Sequence, residues 1–416
     1  MNLINRTYRF RLLPNKEQET LLNKHFGCAR FIYNHFLNER KTQYQANKQS
    51  DNYYAQCKTL TLLKKEEETI WLKEVNSQSL QFALRCLDTA YVGFFRGTSK
   101  FPRFKSKKGK NSFTVPQFFS VEDGKLFLPK FKEDIPMNMH RPIKGEIGHC
   151  TITKTPSGKV FVSLHVEEQY EPKPKTGKTI GADLGVKTMV VLSDGTQFKN
   201  PKHTKRYEKK LKAAQQHLSR KQKGSRSYDN QRRKVALLHE KISNARKDNL
   251  HKISHRLVSD YDVICLESLN VKGMMAKNKP KQDANGKFLP NGQAAKRGRN
   301  KAIQDVAWGE LVRQVQYKAE WNDKRVSKID RFYPSSKTCN CCGWINQDLD
   351  LTMRMWDCDG CGAHLDRDLN AAINIHEEGL REISAGTVDH TGGGTVSLGS
   401  ELVSMKPEVN RLKIDG

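Results

Sequence analysis

Five of the chain's ten cysteines fall between residues 339 and 361, and four of them repeat one pattern: Cys339-x-x-Cys342-Gly343 and Cys358-x-x-Cys361-Gly362. In each C-x-x-C a tight turn aims two thiolates at one tetrahedral ion, and the following glycine relieves a turn that often needs a positive φ. Two such knuckles, fifteen residues apart, complete a four-thiolate shell with no open position, so the site is expected to be structural, holding one Zn²⁺. Cys341 is a fifth thiol that could replace Cys339 or Cys342, but only the 339/342 pairing gives both knuckles the same spacing. Cys28, Cys57, Cys86, Cys150 and Cys265 are scattered in apolar or mixed settings and read as small core residues.

Charge narrows the partners. Against 45 Asp+Glu stand 73 Lys+Arg, a formal charge of +28 over 416 residues, which favours a polyanionic partner over a small substrate. No apolar run approaches the roughly 18–20 residues of a membrane span, and the start, MNLINRTYRFRLLPN, has no apolar signal core. A reducing cytoplasm is therefore expected, without disulfides and without a membrane partner.

Along the chain, residues 7–13 alternate like a strand, and Pro14-Asn15 opens helical patterns that run to about Phe95. From 113 to 170 short strands and turns take over, with a hairpin at Pro156-Ser157-Gly158. The simplest organisation is a β domain (1–14 and 101–172) interrupted by a helical insert (15–100). After the Pro/Lys linker 171–178, KTIGADLGVKTMVVLSDGTQF reads as three strands with a turn at Asp194-Gly195. Residues 202–256 read as a basic helical pair broken near Gly224-Ser225, and 261–269 as a buried strand. A mobile loop is expected over 276–301, an amphipathic helix over 306–321, a strand over 324–334 and a short helix over 368–378. The glycine-, serine- and threonine-rich segment 385–416 is expected to be disordered.

Three acidic residues are oddly placed for these elements. Asp183 sits inside an apolar strand pattern and Glu267 ends another, where an unpaired carboxylate is strongly disfavoured. On the last helix Asp368 shares a face with Ala371, Ala372 and Ile375, a small-apolar stripe suited to docking on a sheet, whereas Asp366 points roughly the opposite way. Such a cluster suits two Mg²⁺ or Mn²⁺ ions and phosphodiester hydrolysis. Residues 96–110 add seven Lys/Arg with Phe101 and Phe104 interleaved, and 202–256 add eighteen Lys/Arg against four acids, which together favour a phosphate-tracking surface.

In order and spacing, GADLGVK (181–187), CLESL (265–269), FYPSSKTCNCCG (332–343), WDCDGCG (356–362), DRDLNAAINI (366–375) and the early ARFIYNHFL (29–37) resemble the TnpB family, transposon-associated RNA-guided nucleases related to type V CRISPR effectors. The resemblance covers roughly residues 3–380. It implies a mixed α/β multidomain protein with a RuvC-like, ribonuclease-H-type catalytic domain (173–331 and 363–384) and an inserted four-cysteine zinc finger (332–362). It also implies a wedge-like β-barrel domain carrying a helical recognition insert. The Asp, Glu, Asp triad would fall on Asp183, Glu267 and Asp368, as magnesium ligands and catalytic groups. The implied partners are a guide RNA from the transposon end and double-stranded DNA cut beside a short motif, the protein acting as a monomer in a cytoplasmic, nucleoid-associated ribonucleoprotein of a prokaryote. Tyr53, Ser77 and Gln81 of the insert, with Arg103 and Lys105, are candidate nucleic-acid contacts, Gln81 through bidentate pairing with adenine. A transposase would instead order its acids Asp, Asp, Glu, and a guided repressor that no longer cuts would lack one of the three.

Overall fold

The computed structural model describes residues 2–386 apart from 50, 108 and 351; residues 387–416 of the expected disordered tail lie outside it. The first half couples a sheet to helices. β1 (Asn2–Leu12) leads into α1 (Lys16–Asn47), α2 (Tyr53–Leu63), a 3₁₀ segment (Glu67–Glu74) and α3 (Ser77–Phe95). α1 starts where Asn15 and Gln18 cap each other reciprocally, each side chain accepting the other's backbone N–H, a capping box that satisfies two orphan donors. β2 (Asn111–Val115), β3 (Ser120–Glu122), β4 (Lys125–Phe127), β5 (Ile135–Asn138), β6 (Glu146–Lys154) and β7 (Val160–Tyr170) follow.

These seven strands are ordered β2-β6-β7-β1-β5-β4-β3, with every pair antiparallel. Alternation along β1 sends Tyr8, Phe10 and Leu12 into a core shared with Leu22, Phe26 and Phe36 of α1, and Arg9 and Arg11 to the other face. β1 begins earlier than its 7–13 pattern because β7 pairs with it from Asn2 to Leu12. Among the described residues no ladder joins β2 to β3. The last two strands of that order, β4 and β3, are three residues each.

The second half is built on a five-stranded sheet: β8 (Thr179–Asp183), β9 (Thr188–Leu192), β10 (Gln197–Lys199), β11 (Val263–Glu267) and, later, Arg325–Ile329. Between β10 and β11 run α4 (His203–Ser219) and α5 (Arg226–Asp260), the basic pair, with Ser225 capping α5. After β11 come α6 (Val271–Met274), a small hairpin of β12 (Lys281–Gln282) and β13 (Phe288–Leu289), α7 (Gln293–Val306) and α8 (Trp308–Trp321). Then follow β14 (Arg325–Ile329), β15 (Met355–Asp357), β16 (His364–Asp366) and α9 (Arg367–Ser384). The expected loop over 276–301 is thus a hairpin that ends in a helix. Gly292, at φ 72°, supplies the turn into α7, and Ile303 and Val306 anchor that helix in the core. α9 also outruns its 368–378 pattern.

Strand order is β10-β9-β8-β11-β14: an antiparallel meander of the first three, then two parallel additions. Ile180, Ala182, Ile264 and Leu266 face a core with Leu250, Ile253 and Leu257 of α5 and Leu311 and Val315 of α8. The opposite face, by strand alternation, presents Gly181, Asp183, Cys265 and Glu267 toward α9.

Candidate active site and metal centre

Parallel pairing of β8 and β11 sets Ala182 beside Leu266, so the next residues, Asp183 and Glu267, emerge side by side at the ends of adjacent strands. Their carboxyls are in hydrogen-bond contact. Burial, then that contact with Glu267, then the charges of Glu267 and Asp368, push the Asp183 carboxyl well above its usual range, against the opposing pull of Arg367. A buried acid held in this way is a charge deficit that a cation would relieve.

The third acid arrives on α9. Two glycines allow that helix to sit close to the sheet: a Cβ on Gly181 would lie 2.2 Å from the Ala372 carbonyl oxygen, and one on Gly379 would lie 2.5 Å from the Cys265 Sγ. Ala371, Ala372 and Ile375 are buried as the small-apolar stripe requires. Asp366 is the N-cap, its Oδ1 accepting the N–H groups of Asp368 and Leu369 at 2.9 Å each. It is therefore committed to the backbone, and Asp368 is the acid that lies in the cleft with Asp183. Arg354 donates to both Asp368 oxygens at 2.8 and 2.6 Å, and Arg367 adds longer bonds of 3.2–3.3 Å.

The four expected cysteines converge. Their Sγ atoms all lie within 4.8 Å of one another, with Cys339–Cys361 at 3.7 Å and Cys342–Cys358 at 3.6 Å. Bonds of about 2.3 Å from one tetrahedral ion give sulfur–sulfur edges of about 3.8 Å, so the shell fits zinc; a disulfide would need about 2.05 Å. The knuckles superimpose bond for bond. Cys339 N–H donates to the Trp344 carbonyl at 2.8 Å and Cys358 N–H to that of Ala363 at 2.9 Å; Gly343 and Gly362 N–H return to the carbonyls of Cys339 and Cys358 at 2.9 and 2.7 Å. Both glycines sit at positive φ, 79° and 70°, as expected. Cys341 is exposed and outside the cluster. Among the described residues these cysteines alone bring three or more donors so close; in the carboxylate group, Asp183 and Glu267 touch while Asp368 is engaged by arginines.

The two sites share α9. Asn370 and Asn374, each 2% exposed, donate from Nδ2 to the Thr338 carbonyl at 2.7 and 2.6 Å, and Asn370 Oδ1 accepts the Asn340 N–H at 2.9 Å. At the other end, β15 pairs with β16, Met355 opposite Asp366, and the Arg367 N–H donates to the Arg354 carbonyl at 2.8 Å. The knuckle module therefore delivers Arg354 to Asp368. These are the residues that reading the sequence missed; the i, i+4 asparagines within an apolar helix pattern were the available signal, whereas nothing local marks Arg354.

Around Asp183 and Asp368 the surface opens into a cleft of about 730 Å³, whose walls carry Lys187, Lys202, Lys205, Lys301, Lys337, Arg354 and Arg367. Seven cations against five acids, Asp183, Glu208, Asp305, Asp350 and Asp368, leave the walls net basic, which suits a polyanionic chain. None of the five candidate nucleic-acid contacts lines this cleft. Tyr53 is half-buried at the start of α2, Ser77 opens α3 and accepts from Lys64, and Gln81 is exposed one turn further on. Arg103 is exposed; Lys105 lays its Nζ 3.8 Å from the centre of the Tyr33 ring.

The fold and site define a mixed α/β protein with a cation-lined carboxylate cleft braced by a four-cysteine module. Comparison with known proteins agrees. Residues 161–278 match a family described as "Probable transposase" (OrfB_IS605), residues 308–375 a Cas12f1-like TNB domain and residues 1–49 the family's helix-turn-helix domain. A Streptomyces pristinaespiralis protein provisionally named RNA-guided DNA endonuclease is 37% identical over 93% of this chain and 92% of its own length. InsQ of Escherichia coli (strain K12), provisionally named likewise, is 31% identical over 92% and 95%. In fold, the Cas12f1 chain of a cryo-EM complex with sgRNA and target DNA covers 90% of this chain and 99% of its own, at a TM-score of 0.52 and 13% identity. The chain belongs to the TnpB family. No helix among the described residues is long and apolar enough to cross a membrane.

Proposed function

We propose that the protein is a metal-dependent, RNA-guided endonuclease that hydrolyses phosphodiester bonds of double-stranded DNA beside a short motif. The observation that carries this reading is that Asp183 and Asp368 line one cation-rich cleft while the Glu267 carboxyl lies against that of Asp183. The names of the relatives supply the guided character. The strand order, three antiparallel and two parallel, supports a RuvC-like, ribonuclease-H-type domain over 173–331 and 363–384. Residues 1–14 and 101–172 then act as the wedge-like domain, 15–100 as the recognition insert and 332–362 as the zinc finger. The partners are a guide RNA from the transposon end and target DNA, bound by one protein chain in the cytoplasm.

Asp183, Glu267 and Asp368 would hold Mg²⁺ or Mn²⁺, two ions when substrate is bound, and the bound metal supplies an activated water and a stabilised leaving oxygen. The chain's own groups do the remainder. Asp183 and Glu267 are fixed by the sheet, so their spacing costs no ordering when substrate enters. Arg354 is within reach of a phosphate at the same edge and exchanges Asp368 for it. The lysines of the cleft track the backbone on either side of the scissile bond. Zn²⁺ at Cys339, Cys342, Cys358 and Cys361 has no open position and serves the fold.

The test is to express the protein beside its native transposon end, sequence the RNA that co-purifies and supply matched DNA with Mg²⁺. Asp183→Ala, Glu267→Ala or Asp368→Ala should each abolish cutting while DNA binding persists. Site-specific cutting by RNA-free protein would overturn the guided reading in favour of a plain endonuclease or a transposase.

A further inference from the structure

Not every acid of the cleft wall is placed to serve a metal. Asp305, in the last turn of α7, lines the cleft and is 9% exposed, yet both its oxygens are committed elsewhere. Oδ1 and Oδ2 each accept the Thr204 N–H at 3.1 Å. Oδ1 also accepts the Thr204 hydroxyl at 2.6 Å and Arg246 Nη2 at 3.0 Å. Thr204 stands in the first turn of α4 and Arg246 on α5, so one carboxylate of α7 ties the start of α4 to both neighbours.

α4 depends on that tie. It has no buried residue, and its N-cap, Lys202, stands at φ 47° with no side-chain cap of its own. Apolar packing and a local cap are the usual means of fixing a helix start. Asp305 stands in for both from a distant part of the chain, its charge set against the positive end of the α4 dipole. α7 can bear the load because Ile303 and Val306, each 1% exposed, seat it in the core. Directly after α7, Trp308 Nε1 donates to the Gly185 carbonyl at 3.2 Å, so the same joint also grips the turn that follows Asp183. The start of α4 carries Lys202 and Lys205 onto the cleft wall. We propose that Asp305 is a positioning residue for cleavage: by capping α4 it holds Lys202 and Lys205 where they meet phosphates of the strand being cut. The proposal rests on the nuclease reading above and names the group that sets the cation wall of that site.

The experiment uses the full chain loaded with its co-purifying RNA, matched double-stranded DNA and Mg²⁺. The second-order rate constant of cutting is measured between about 50 and 200 mM KCl. Asp305→Ala should slow cutting about tenfold at the low-salt end. It should also lower the slope of log rate against log salt by about two, one for each lysine displaced, so the gap from the parent narrows as salt rises. The Mg²⁺ concentration for half-maximal rate should not move. Asp305→Asn, which keeps an acceptor for Thr204, should recover most of the rate. Lys202→Gln with Lys205→Gln should lower the slope by the same amount, and adding Asp305→Ala to that pair should slow cutting by no more than about twofold further.

A loss equal at every salt concentration would mark ordinary destabilisation, and a raised Mg²⁺ requirement would make Asp305 a metal ligand; either overturns the proposal, as does a full further loss in the triple variant. Hydrogen exchange over residues 203–208 needs no activity. In Asp305→Ala it should rise about fivefold with loss of the cap, with zinc content and the sheet amides as in the parent. Unchanged exchange there sinks the proposal whether or not the parent cuts. A parent that fails to cut while that exchange rises supports the seating of α4 and overturns the nuclease reading alone.

Discussion

The four cysteines occupy 23 consecutive positions and are aimed by two backbone turns, whereas Asp183, Glu267 and Asp368 are spread over 186 positions and reach the same end of the sheet through strand register and helix docking. In the knuckles, each thiol is placed by hydrogen bonds no more than five residues away in sequence. In the cleft, each acid depends on a neighbour brought from elsewhere: Asp183 on β11, Glu267 on β8, Asp368 on the close approach of α9. A site of the first kind tolerates change in the rest of the fold, and one of the second kind does not. The two are linked both ways, because the knuckle module supplies Arg354 to the cleft while Asn370 and Asn374 of α9 hold the first knuckle.

Removing the module's metal should have the largest effect and tests the link from module to cleft. Structural zinc contributes on the order of 10 kcal/mol to the folding of small domains, so Cys358→Ser should empty the shell, as read by elemental analysis, from about one zinc per chain to none. Cleavage should fall with it, since β15 and Arg354 lose their anchor, while the packing of Ala372 and Ile375 of α9 on the sheet keeps that core folded. Full cleavage by the zinc-free variant would show that Asp368 needs nothing from the module.

The converse change is Gly181→Ala. The new methyl carbon would stand 2.2 Å from the Ala372 carbonyl oxygen, a backbone atom that yields only if α9 moves. Overpacking of this kind costs about 1–3 kcal/mol. DNA cleavage should drop at least tenfold, by the sensitivity of catalysis to misplacement of about 1 Å, with zinc content unchanged. Equal activity in the variant would mean that the docking distance of α9 does not set the site.

The same contrast explains what could be read from the sequence. Knuckle ligands, the glycines after them and the basic helical pair follow from spacing alone, and the structure places all four cysteines as expected. The acids were suspected because strand cores reject lone carboxylates, but their meeting was not in the local pattern. It depends on β11 lying beside β8 and not beside β10, which precedes it in the chain, a matter of tertiary packing. Arg354 and the asparagine grip are contacts across such joins and leave no local period. The segment 276–301 reads as a loop because its polar composition hides the two anchors, Ile303 and Val306, that lie just beyond it.

A milder change probes the charge stored in the cleft. The folded protein holds a proton on Asp183 more tightly than the unfolded chain does, because burial and Glu267 raise its pKa. The corresponding stability is present below the ordinary carboxylate pKa of about 4 and is lost as pH rises through the higher folded value. Without added divalent ion, Asp183→Asn should therefore melt a few degrees above the parent at neutral pH, and the two should converge in acid. Mg²⁺ should close the gap by stabilising only the parent. A variant that melts lower than the parent at neutral pH would remove the idea of stored repulsion.

The smallest effect separates two acids that stand two residues apart. Asp366 and Asp368 share a motif, and a resemblance alone cannot say which belongs to the cleft; the structure gives Asp366 to the backbone of α9. Asp366→Ala removes acceptors from the Asp368 and Leu369 N–H groups, a cap loss of about 1 kcal/mol. The first turn of α9 should fray, lowering Tm by a few degrees and slowing cleavage modestly, because Asp368 rides on that turn. Asp366→Asn or Asp366→Ser, which keep a capping oxygen, should restore most of both. Asp368→Asn should do the opposite, leaving Tm within a degree or two and cleavage undetectable, since helix and cap remain while the metal-binding charge is gone. If Asp366→Asn were inactive and Asp368→Asn active, the third acid of the cleft would be Asp366, and the cap seen here would be a resting arrangement that substrate or metal rearranges.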